Sequence, residues 1–275
     1  MFKKINCEKC QCAYDEMDQA CPKCGEKNPF VPHKKFGQNA LFVPFWMQIT
    51  LFFVGWLGLQ LLGLVLSLIT STASLEDVQK SAIVTFVTYG ILGAALIGIQ
   101  ATQLKKYLAS FKNWLAPLLG LAGFAAIMLF NMSYNIFLQI TGLAIQDNAN
   151  ETAINSYITA YPLLAILIIG IVGPLCEEIT YRVGLYSFFR RINKYLTYAI
   201  TILVFALIHF DFTAFGAGGS VLINELLNLP FYLAAAFVFT FLYEKVGFAG
   251  SFFAHITNNL FSVFSTLIIA WTTKS

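Results

Sequence analysis

The sequence predicts an all-α polytopic membrane protein of about seven transmembrane helices, within a range of six to eight, preceded by a small metal-binding head. Three observations lead there. Of 275 residues, 58% are apolar and only 11% charged, with a mean hydropathy of +0.70, whereas soluble domains carry about 25% charged residues. The charges are segregated, because residues 1–35 hold 12 of the 31 charged side chains. That polar segment also contains two Cys-x-x-Cys pairs. A soluble enzyme, a disordered chain and a nucleic-acid binder are excluded, and the net charge of +3 identifies no anionic partner.

In the head, Cys7-x-x-Cys10 and Cys21-x-x-Cys24 are separated by ten residues, and Cys21-Pro-Lys-Cys24-Gly25 forms a tight knuckle. Two such pairs present four thiolates suited to a structural, closed Zn²⁺ site. A head this small cannot build an apolar core, so the metal supplies its folding free energy. Two disulfides are the alternative, disfavoured where thiols stay reduced. Cys12 lies just past the first pair and is left out of the ligand set. The head occupies residues 1–28 and a polar linker with Pro29, Pro32 and Gly37 extends to residue 44. No secretory signal is expected, since the first apolar run begins near Leu41.

Charge-free stretches long enough to span a bilayer, about 20 helical residues, follow in order. Lys35 to Glu76, Lys80 to Lys105 and Lys112 to Asp147 bracket the first three spans, within residues 45–145. Glu151 to Glu177 holds most of the fourth. Tyr195–Phe210 and roughly Leu229–Tyr243 are a short fifth and sixth, and the seventh follows Gly250. Thr213–Leu227 could add a re-entrant piece. The head carries seven Lys, and Lys105, Lys106, Lys112, Arg190, Arg191 and Lys194 recur at alternate loops. The intervening loops carry Glu76, Asp77, Asp147, Glu151, Asp211 and Glu225 with Lys80 as their one cation. This is the positive-inside pattern, with a cytoplasmic head in a cell membrane.

Ionisable groups within spanning segments are functional candidates by default. Glu177 and Glu178 end the apolar run Leu163–Cys176, and Arg182 lies at i+4 from Glu178. Adjacent carboxylates in low dielectric do not both ionise easily; an Arg beside one divides their roles, as acid–base chemistry requires. The plainer reading is a helix ending at the interface with both Glu in water. His209 closes the run Ile200–Ile208, and His255 and Asn259 share a helix face. Alone, each fits a cap or a helix–helix hydrogen bond. Glu177 precedes Arg190 by 13 residues and His209 follows Lys194 by 15, so both sit roughly 20 Å from the intervening turn. His255, five residues past Gly250, fits that depth only if the turn Gly247–Gly250 is recessed.

Glu177-Glu178-x-x-x-Arg182, Phe205-x-x-x-His209 and His255-x-x-x-Asn259, in that order, resemble the motifs of the CPBP family of intramembrane proteases. That family includes the Rce-type CAAX prenyl endopeptidases and the bacterial Abi proteins. The resemblance covers roughly Ile158–Ala270, within a core set at residues 155–272, while the first three spans match as generic membrane helices. The head resembles zinc ribbons fused to many bacterial membrane proteins, which suggests a cytoplasmic partner for it. The resemblance implies an endopeptidase acting on a membrane-associated peptide or protein near the cytoplasmic side. It assigns Glu177 as the base activating water with help from His209, His255 and Asn259 as oxyanion donors, and Glu178 and Arg182 as the supporting pair. Catalysis by Glu177, His209 and His255 around a metal stays open beside the metal-free route. A non-catalytic alternative is a self-immunity protein that binds bacteriocin-like peptides or regulates a membrane sensor. A transporter would require buried charges spread over several helices.

Overall fold

The computed structural model describes residues 4–15, 18, 20–28, 40–41, 43–143 and 145–273; most of the expected linker lies outside these. The head is a hairpin of β1 (Lys4–Asn6) and β2 (Ala13–Asp15), antiparallel with Ile5 opposite Tyr14. A second small loop closes through the bridge between Ala20 and Lys27.

The remainder is helical: α1 (Phe45–Ser71), α2 (Asp77–Ile99), the short α3 (Leu104–Ser110), α4 (Leu115–Ile140), α5 (Ala149–Ala160), α6 (Pro162–Arg190), α7 (Lys194–Leu207), α8 (Gly219–Lys245) and α9 (Phe248–Thr272). Six of these are long and apolar enough to cross a membrane: α1, α2, α4, α6, α8 and α9. The protein is a multi-pass membrane protein. Leu61, Leu64 and Leu68 of α1 and Leu163 of α6 are more than half exposed, as lipid-facing positions should be.

The seventh apolar helix, α7, has 14 residues, or roughly 21 Å. Glu244, at the end of α8, pairs with Lys194 at 3.1 Å and lies 3.9 Å from Arg190. The C-terminal end of α8 is therefore beside the α6–α7 turn and Gly219 is at the far side. The chain from Lys194 to Gly219 must cross between them, which gives seven crossings.

Three expectations are corrected. The fourth span does not begin at Glu151, because α5 is a separate helix ended by the non-helical backbone of Tyr161 before Pro162. The residue before a proline is pushed out of the helical region. The helix carrying Glu177 continues to Arg190, so the two carboxylates do not sit at an aqueous helix end. The sixth span is 27 residues long, absorbing Gly219–Leu227 that could have been re-entrant; Ala214–Ala217 is a single turn.

Glycines let the first helices approach the core. A Cβ on Gly184 of α6 would stand 2.8 Å from the Phe52 amide nitrogen, and one on Gly55 would overlap Thr180. A Cβ on Gly120 of α4 would meet Phe253 and the Ala254 backbone of α9. Small residues at crossings give the backbone-to-backbone packing that substitutes for hydrophobic drive in lipid.

Candidate active site

Local sequence shapes the site helix. Pro174 has no N–H and would clash with the carbonyl one turn back, and α6 widens into a π-helical stretch at Ile168–Val172. The Gly173 amide reaches the Ile168 carbonyl. The next carbonyl, Ile169, would pair with the missing Pro174 amide. It accepts instead from the Asn259 side-chain amide at 3.0 Å. A second π-helical stretch, Glu178–Tyr186, follows after the α-helical turn Gly173–Glu177.

This stretch carries Glu178 and Arg182, both without side-chain exposure, with Arg182 Nε 3.5 Å from Glu178 Oε2. The guanidinium lies over the Phe205 ring at 4.4 Å. Glu178 is held from α9 by the Ser251 hydroxyl at 2.5 Å from Oε2 and by His255 Nδ1 at 2.9 Å from Oε1. A carboxylate accepts, so His255 Nδ1 carries the proton and Nε2 is presented elsewhere. That nitrogen faces Glu177, 3.6 Å from Oε2. His255 thus bridges the two carboxylates, with its ring stacked on Phe239 at 4.3 Å.

Glu177 is 12% exposed at its side chain and accepts from the Tyr89 hydroxyl at 3.3 Å. His209, just past the end of α7, donates from Nδ1 to the Phe205 carbonyl at 3.1 Å. Its Nε2 is left as the free position, and the ring packs on Phe205 and Tyr232. Glu177, His209, His255 and Asn259 line one cavity of about 130 Å³, with Tyr89, Asn150, Ile154, Tyr232 and Asn258 among its other walls. Glu178 and Arg182 lie behind that wall.

The depth of His255 is explained by packing. The Tyr186 hydroxyl donates to Glu244 at 2.7 Å and the Ser187 and Tyr243 hydroxyls meet at 3.4 Å, which sets the last turn of α8 level with Tyr186 and Ser187, with Arg190 and Lys194 reaching Glu244 from the turn beyond. The α8–α9 turn is recessed accordingly, and His255, eight residues past Gly247, comes level with Glu178, eight residues before Tyr186.

Residues 159–261 match the family model described as type II CAAX prenyl endopeptidase Rce1-like. This segment resembles an Rce1-like domain. YdiL of Bacillus subtilis (strain 168), named provisionally as a membrane peptidase, is 30% identical over 124 residues, 44% of this chain and 45% of YdiL. The chain therefore spans less than half the length of that relative. No solved structure matches the chain.

Several site neighbours escaped sequence reasoning. Tyr89 touches the Rce1-like segment from α2, a helix read as a generic span, and no local signal marks it. Ser251 could have been found, since it lies at i−4 from His255 and shares its helix face. Tyr232 binds the Asn148 side chain at 3.1 Å and packs against His209.

In the head, Cys7, Cys10, Cys21 and Cys24 bring their sulfurs within 4.8 Å of one another. Cys7 and Cys24, like Cys10 and Cys21, are 3.5 Å apart, too far for disulfides. A tetrahedral Zn²⁺ with bonds near 2.3 Å would hold sulfurs roughly 3.8 Å apart. The four thiols fit such an ion. Each pair is turned by the same device: the Gln11 amide returns to the Cys7 carbonyl and the Gly25 amide to the Cys21 carbonyl, with positive φ at Gln11 and Gly25. Burial opposes a charged Cys21, but the Cys24 and Lys23 amides outweigh it and pull its pKa down to about 6. Cys12 is spent on the hairpin, its carbonyl accepting from the Cys7 amide. Among the described residues no second group of His, Cys, Asp and Glu converges in this way. Asp15 of β2 pairs with Arg191 at 2.6 Å, seating the head on the α6–α7 turn.

Proposed function

We propose that the protein hydrolyses a peptide bond of a membrane-associated peptide or protein, with Glu177 as the base that activates water. The observation carrying this reading is the Glu178–His255–Glu177 chain, which ends in a carboxylate on the wall of an intramembrane cavity. The Rce1-like segment and the likeness to YdiL support a membrane peptidase.

Glu177 accepts a proton from water as the oxygen attacks the scissile carbonyl carbon. The negative charge passes to the carbonyl oxygen, where donors in low dielectric lower the barrier by several kcal/mol. His209 and Asn259 line the same cavity; Asn259 donates through the amide proton not given to Ile169, and His209, whose neutral form keeps its proton on Nδ1, donates from Nε2 only as the imidazolium. His255 sits 3.6 Å from Glu177 and therefore shares the water with it, a role first expected of His209. Glu177 then returns the proton to the leaving nitrogen as the C–N bond breaks, giving a carboxylic acid and an amine. Glu178 and Arg182 are positioning residues that fix the His255 tautomer. This reading takes water activated by Glu177 without a bound metal, the water giving its proton to Glu177 and a hydrogen bond to the unprotonated His255 Nε2 that faces it.

The zinc-binding head is structural in this reading. Its four thiolates close the coordination shell and leave no position for substrate. The test is hydrolysis of a quenched peptide library by purified protein in detergent. Glu177→Gln is expected to lose about 10²–10⁴-fold in rate, with folding confirmed by circular dichroism. Full activity in Glu177→Gln would overturn the assignment.

A further inference from the structure

The cavity is closed on one side and continued on the other. Between Glu177 and the head-side end of α6, every residue from Glu178 to Ser187 is buried. Tyr243, Phe248 and Ala249 fill the same layer from α8 and α9. No route for a peptide runs through that packing. Away from the head the walls are half-buried instead: Asn150 and Ile154 of α5, Tyr232 of α8 and Asn258, three residues further along α9 than His255.

The element over this outer part is α5: its C-terminal half packs through the buried Tyr157 and Ile158 in a cluster with Ala82 of α2 and Val263 of α9, and its N-terminal end is held by polar groups of α8. Gln146 donates its amide to Asn224 at 2.9 Å, and Asn228 donates to the Gln146 carbonyl at 3.0 Å. Glu225 accepts from the Ala149 amide at 3.3 Å. These polar side chains on a spanning helix are thereby accounted for by the segment leading into α5. The charges give the sides their identity. Arg190, Arg191, Lys194 and Lys245 lie at the head end, with Asp147, Glu151, Asp211 and Glu225 at the other, and cationic loops face the cytoplasm.

We infer that the cavity is entered from the extracytoplasmic face, beneath α5, so that the substrate is a polypeptide segment lying at that surface of the membrane. The polypeptide nature of the substrate rests on the peptidase reading, whereas the side of entry rests on the packing and the charges alone. This replaces the cytoplasmic-side cleavage expected from the sequence.

The test is site-directed labelling in right-side-out membrane vesicles with a membrane-impermeant methanethiosulfonate, each site read by peptide mass mapping. Asn150→Cys reports the cavity mouth. Glu76→Cys, in the α1–α2 turn, and Lys105→Cys, on α3, report the two faces. The expected result is labelling at positions 76 and 150 in intact vesicles, with position 105 labelled only after permeabilisation. Labelling should also abolish whatever hydrolysis Asn150→Cys retains beforehand. Position 150 reacting only together with position 105, or staying unlabelled while position 76 reacts, would overturn the inference, as would an exchange of the two reporters. The expected labelling pattern with no hydrolysis by any variant or by the wild type would overturn the peptidase reading and leave the side of entry standing.

Discussion

Replacing Arg182 by Met removes the guanidinium beside the buried Glu178 carboxylate, and the structure sets the scale of the loss. Arg182 Nε is 3.5 Å from Glu178 Oε2 and neither side chain is exposed. At an effective dielectric of 20 the attraction across that distance is about 5 kcal/mol. The guanidinium also lies 4.4 Å from the Phe205 centroid, a contact of about 2 kcal/mol when desolvated. Met returns part of this, because Nε, Nη1 and Nη2 of Arg182 meet no hydrogen-bond partner among the described residues and their burial is costly. Glu178 keeps Ser251 and His255 but loses its cation. The net destabilisation expected is about 3–5 kcal/mol, the usual result of breaking one side of a buried pair. The assay is unfolding in mixed micelles with a denaturing detergent, followed by circular dichroism. Glu178→Gln combined with Arg182→Met should be more stable than the sum of the single losses, with a coupling energy of about 2–3 kcal/mol. An Arg182→Met protein within about 1 kcal/mol of wild type, together with an additive cycle, would refute the pair as the support of the site.

Further outcomes follow from other parts of the molecule. Purified protein should carry one Zn²⁺ per chain by elemental analysis; Cys7→Ser and Cys21→Ser should lose it and Cys12→Ser should retain it. Since the Cys21 pKa is lowered from 9.0 to about 6, its contribution to head stability is present above pH 9. It fades as pH falls to about 6, and proton competition for the thiolates drives metal release in the same direction; metal content measured after dialysis at stepped pH checks this. Asn259→Leu leaves the Ile169 carbonyl without its partner and should cost about 1–3 kcal/mol in the same unfolding assay. Gly184→Val would push a side chain into the Phe52 backbone, 2.8 Å from the Cβ position. A loss of more than about 3 kcal/mol is expected there, the upper range for overpacking, against little change for Gly90→Ala, where no atom lies within 4 Å.

What the sequence determined by itself is whatever lies within a helical turn or in gross composition. Low charge with long apolar runs specifies membrane helices, and four cysteines in paired knuckles specify a metal-binding head. The spacing of Glu178 with Arg182, Phe205 with His209, and His255 with Asn259 puts each pair on one face, since side chains four apart adjoin. Lipid-facing and core-facing apolar residues look alike in sequence, so helix rotation, depth and neighbours were hidden. Only the tertiary structure carried α6 on past Glu177 with its charges buried, because their partners come from α9 and not from water. It alone brought His255 to Glu178 across 77 positions and Tyr89 to Glu177 across 88. It also gave Asn259 a second task, filling the hydrogen bond that Pro174 cannot make. Such contacts depend on where whole helices pack, and packing is set by glycine crossings and a recessed turn that no local pattern encodes.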